Sequence, residues 1–140
     1  MIRYIRSIDR TAAYHLTLAH ELRRTQQVAI GYFVPWERIP TVGLSSLEVS
    51  DAVGDDGVRL YTTKLTALLP CAIAPPSEPT AYRLTLTDGT LLLLGTSHRP
   101  HPVQTQADTH PDRAADRCAC TLTVTWTADV GAMEIISLKS

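Results

Sequence analysis

Between positions 98 and 120 the chain carries His98, His101, His110, Cys118 and Cys120. Neutral imidazole and thiolate are the donors zinc prefers, and four of them close a tetrahedral site. The spacing argues against such a site. A knuckle needs Cys-x-x-Cys and a finger needs two histidines with three to five residues between them, whereas this chain has Cys118-x-Cys120 and His98-x-x-His101. Cys118 and Cys120 instead share a period-two face with Leu122, Val124 and Trp126, the pattern of small core residues on a strand. No metal and no cofactor is expected.

Other arrangements fail in similar ways. Gly43-Leu44-Ser45-Ser46-Leu47 lacks the last glycine of a nucleophile elbow. There is no Gly-rich phosphate loop and no dinucleotide fingerprint. Asp51, Asp55 and Asp56 lack the alternating acids and distal Glu of a calcium loop, and Asp55-Asp56-Gly57 reads as a solvated turn. His110-Pro111-Asp112 matches the tripeptide of J-domain co-chaperones, but no basic amphipathic helix precedes it. The expectation is a protein that is not an enzyme.

Two features suit contact rather than catalysis. Trp36 lies in Val34-Pro35-Trp36-Glu37-Arg38-Ile39-Pro40, a segment held extended by its prolines. It reads as a crossover with Trp36 covering the core, or as an aromatic anchor for a partner. Leu91, Leu92, Leu93 and Leu94 do not alternate, so that strand needs cover on both faces. The cover comes from another part of the chain or from a second subunit. The candidate interface is therefore Trp36 with Leu91–Leu94.

The elements that must position these residues are mostly strands. Alternation is clear in Tyr14–Leu18, in Tyr82–Thr87 and in the run Cys118–Thr127, where Thr121, Thr123, Thr125 and Thr127 form one face. Asp88-Gly89 between two strand-like runs predicts a hairpin. Gln26–Phe33, Leu47–Val49, Val58–Leu69 and Met133–Leu138 read as further strands, and Pro70 closes the third of these. Residues 9–24 read as strand, with a helix capped by Asp9 as the alternative. Residues 97–117 show no period and read as a long flexible loop. Short strands at this spacing predict an all-β, mainly antiparallel single domain over residues 1–140, a β-sandwich or barrel, with at most one short helix.

Composition agrees. The chain has 140 residues, is 44% hydrophobic and 19% charged, and has a net charge of −1, which suits a single folded domain and gives no basic face for nucleic acid. No apolar run reaches the roughly 18 residues of a membrane helix. Three cysteines without a secretion signal predict reduced thiols, in the cytoplasm or in a particle assembled there.

The order of several pieces resembles a known group. The opening Met1-Ile2-Arg3-Tyr4-Ile5-Arg6-Ser7-Ile8-Asp9 is followed by Tyr82–Thr90, Leu94-Gly95-Thr96, Arg99-Pro100-His101-Pro102 and Thr121–Trp126. This resembles small β-rich proteins of prophage-like gene clusters in Bacteroidetes-type bacteria. The resemblance implies a structural or assembly protein of a phage-type virion or tail, acting through self-association or contacts with other particle proteins. The alternative is a cytoplasmic β module that binds a small ligand or a metal.

Overall fold

The computed structural model describes residues 2–16, 20–22, 27–30, 34–70, 78–97, 100–109, 119–129 and 131–137. Over these residues the chain is all-β and mainly antiparallel. The strands are β1 (Ile2–Ala12), β2 (His20–Leu22), β3 (Gln27–Ile30), β4 (Glu37–Ile39), β5 (Ser45–Val53), β6 (Arg59–Leu69), β7 (Thr80–Leu86), β8 (Leu91–Leu94), β9 (Val103–Thr109), β10 (Ala119–Ala128) and β11 (Met133–Ser137). They form one open sheet in the order β2-β3-β11-β8-β7-β1-β5-β6-β10-β9, with β4 on β1. The β11–β3 pair is parallel.

The register shows why these segments are strands. On β10, Cys120, Leu122, Val124, Trp126 and Ala128 all point inward and are buried, while the four threonines between them face out. Large residues meet small ones across the ladder: Leu122 stands opposite Ala67, and Trp126 opposite Thr63. Leu65 lies between Leu47 and Val124. Such alternation of volume lets neighbouring strands fill one layer without voids.

The sheet folds over on itself. Between Ile5 and Ser7 the β1–β7 register shifts, a bulge that sharpens the local bend. At the same place the other edge of β1 changes partner, from β5 along Ile2–Ile5 to β4 along Ile8–Arg10. The bend brings the inner face of β9 towards that of β7, although β1, β5, β6 and β10 separate them in the sheet. The sandwich-like interior is thus built from one continuous sheet.

Two expectations are corrected. The strand read at Tyr14–Leu18 begins as a 3-10 turn, Ala13–Leu16, and residues 17–19 lie outside the described residues. The β1–β7 ladder stops at Ala12 opposite Thr80, because the next residue is Pro79; its carbonyl accepts from Ala13 N–H at 2.8 Å, but it has no N–H to return. The loop read at 97–117 contains β9, which pairs with β10 from Val103 to Thr109. Positions 98–99 and 110–117 lie outside the described residues.

The Asp88-Gly89 hairpin forms as read. Gly89 has φ of 92°, and Leu86 N–H donates to Thr90 C=O at 2.8 Å. The four leucines follow it. Leu92, Leu93 and Leu94 are 4%, 1% and 0% exposed within the single chain, and Leu91 is half-buried. Leu92 and Leu94 share the inner face with Leu84 and Tyr82. Leu93 points the other way, with Met133 opposite it on β11. The leucine row is therefore already covered by its own chain and does not offer the free surface that an interface at these positions would need.

Candidate functional site

Three polar constellations emerge, and none was visible as a motif. The first is a row across three strands. Asp9 on β1 stands opposite Arg38 on β4 and opposite Arg83 on β7. Its carboxylate accepts from Arg38 Nε at 2.7 Å, and from Arg83 Nη2 at 3.0 Å and Nε at 3.2 Å. The Asp9 side chain is 4% exposed, against 28% for Arg83 and 64% for Arg38. The Arg83 guanidinium in turn lies over the Trp36 ring, 4.8 Å from its centroid. Trp36 is half-buried and packs against the core, so it covers this row and is not a free anchor. The row is a clamp that ties β4 and β7 to β1. Both oxygens of its one carboxylate are engaged by the two guanidinium groups.

The second constellation lies inside the fold. Gln104 and Gln106 on β9 share the inner face with Val124 and Leu122. Tyr82 O–H donates to Gln104 Oε1 at 2.6 Å, and Cys120 Sγ–H donates to Gln106 Oε1 at 3.3 Å. Burial pushes the Tyr82 phenol up to about 12, with the positive charge of Arg10 acting in the opposite direction. Trp126 Nε1–H donates to the Pro100 carbonyl at 3.0 Å. Among the described residues, Gln104 Nε2, His101 Nδ1, Thr63 Oγ1 and Thr11 Oγ1 are buried without a partner.

Among the described residues no three of His, Cys, Asp and Glu that could hold a metal come together. Cys120 is buried and His101 half-buried. His98, His110 and Cys118 lie outside the described residues. Asp51 pairs with Arg59 at 2.7 Å, and Asp56 Oδ1 accepts from Val58 N–H at 3.1 Å within its turn. Ser45 is buried at the start of β5, and Ser46 lies on the opposite face.

The third constellation is at the rim. Arg3, Leu47, Val49, Tyr61, Leu92 and Ala132 surround a recess of about 200 Å³. On the other side of Arg3 lies an open polar groove of about 520 Å³ that includes Tyr4, Asp88, Thr90 and Glu134. The Asp88 carboxyl is held below its usual range by hydrogen bonds from Thr90 and, last, by the charge of Arg3.

The far strand completes the picture. β9 ends the sheet, pairing only with β10 among the described residues. Its outward residues Val103, Thr105 and Ala107 are exposed, Val103 to 61%. No protein-family model, curated protein or solved structure matches this chain.

Proposed function

We propose that this chain is a non-enzymatic assembly protein, of the kind that builds a phage-type virion or tail, and that it self-associates by pairing β9 with β9 of a second copy. One observation carries this: among the described residues β9 is a free edge of the sheet, and its first five residues, between Pro102 and Asp108, carry no guard. Soluble proteins blunt such edges with Lys, Pro, bulges or short strands. From Val103 to Ala107 the sequence Val-Gln-Thr-Gln-Ala has no charge, no proline and no glycine, and its pairing with β10 is regular. Two copies related by a two-fold axis would extend the sheet by antiparallel pairing.

The test is Thr105→Lys with Ala107→Lys. Both side chains face solvent, so the monomer should keep its circular dichroism and melting temperature. Around a two-fold axis, like charges at these positions come opposite or diagonal to one another, which disfavours pairing. Light scattering should show a wild-type dimer or larger assembly and a monomeric variant. A wild-type protein that stays monomeric at the highest concentration it reaches overturns the proposal.

A further inference from the structure

The rim recess combines an exposed cation with an apolar floor. Arg3 makes no hydrogen bond or salt bridge with any described residue, and Asp51, the acid opposite Tyr61, is engaged by Arg59. The positive charge at the recess is thus that of Arg3. Glu134 and Asp88 face Arg3 only from the open groove, where water screens them. The floor is Leu47, Leu92 and Val49, and Leu47 and Leu92 are 1% and 4% exposed. Tyr61 adds a phenol at the wall.

Beside the recess, but not among its lining residues, lies a buried hydroxyl. Thr63 is 0% exposed and its Oγ1 has no partner. It stands opposite Val49 and two residues along β6 from Tyr61, on the same inner face as the recess lining.

We propose that this recess binds a small amphipathic monoanion, a short aliphatic or aromatic carboxylate. The carboxylate sits on the Arg3 guanidinium, whose fork matches two oxygens. The tail lies on Leu47, Val49 and Leu92. At about 200 Å³ the recess is smaller than pockets for drug-sized ligands, which limits the guest to a few carbon atoms. The lining comes from β1, β5, β6, β8 and residues 131–132, not from β9, so this site and the assembly edge can fail independently.

Hexanoate is the probe, with hexanamide as its uncharged counterpart, titrated into ¹⁵N-labelled protein. Hexanoate should shift the amides of Leu47, Val49, Tyr61, Leu92 and Ala132, and bind more tightly than hexanamide. Arg3→Gln should weaken hexanoate about tenfold and leave hexanamide unchanged, because only the charged contact is lost. Val49→Phe should fill the recess and abolish both. Arg3 and Val49 are exposed, so neither variant should unfold the chain. Equal affinity for the two probes, an unaltered Arg3→Gln, or shifts confined to other surfaces would overturn the proposal.

Discussion

Replacing Asp9 with leucine tests whether the row Arg38–Asp9–Arg83 is a clamp or an ornament. Asp9 is 4% exposed, so its carboxylate has given up almost all of its hydration. Removing it leaves Arg83, at 28% exposure, without its counter-charge beneath Trp36. Breaking a buried pair from one side typically costs about 3–5 kcal/mol. Arg38 is 64% exposed and returns to water at little cost, and Arg83 recovers part of its hydration. The expectation for Asp9→Leu is therefore about 2–3 kcal/mol. For a chain of this length that lowers the melting temperature by roughly 6–12 °C.

The partners should differ by their burial. Arg38→Gln should cost less than about 1 kcal/mol, since its ion pair is largely solvated. Arg83→Met should cost about 2 kcal/mol, because Asp9 then keeps only Arg38. The double variant Asp9→Leu with Arg83→Met should return to within about 1 kcal/mol of wild type, since an apolar pair escapes the desolvation cost. Urea unfolding of the four proteins completes the cycle. Additive losses in the double variant would refute the reasoning, as would an Arg38→Gln loss as large as that of Asp9→Leu.

Two further outcomes follow from the interior. Tyr82 has its folded-state value raised from 10.0 to about 12, so the unfolded chain releases this proton first. Its contribution is complete below pH 10 and is lost as pH rises from 10 towards 12, by about 2–3 kcal/mol at most; alkaline unfolding of wild type and Tyr82→Phe should show the variant losing less over that window. Gly95→Ala should cost roughly 2–4 kcal/mol by thermal melting, because φ is +103° and a Cβ would come 2.8 Å from Pro102 Cγ, whereas Gly89→Ala, with φ of +92° and open space, should cost only about 1 kcal/mol. Equal losses at the two glycines would show that the close approach of Pro102 has no consequence.

How much of this was legible depended on which face carried the apolar residues. β10 announced itself, because Leu122, Val124 and Trp126 point inward and the threonines outward. The Asp88-Gly89 turn was equally plain, since its conformation is local. β9 was hidden for the opposite reason: its inward residues include Gln104 and Gln106, and period two in hydrophobicity disappears when the buried face is polar. Their partners, Tyr82 and Cys120, are 22 and 14 residues away in the chain. The clamp was hidden by the same non-locality, for Asp9 is 29 positions from Arg38 and 74 from Arg83. The rim recess draws on four strands and a connection, which no spacing rule captures. The leucine row was read as needing cover on both faces, with a second subunit favoured as its source; within the single chain Leu92–Leu94 are already buried, with Met133 opposite Leu93.

The polar interior of β9 bears on how this edge strand keeps its register. A strand held only by one neighbour and by nonspecific burial can slip, and a slip of one residue exchanges its two faces. Here such a slip would turn Gln104 and Gln106 outward and bring Val103, Thr105 and Ala107 in. The Tyr82–Gln104 hydrogen bond opposes this, because it ties β9 to a strand across the interior and not merely to β10. A displaced Gln104 would leave the Tyr82 hydroxyl buried and unpaired, at a cost of about 1–3 kcal/mol. The Cys120–Gln106 contact adds a weaker constraint in the same sense. Polar groups that contribute little net stability thus fix one register, and a fixed register is what a second copy needs in order to pair residue for residue along the edge.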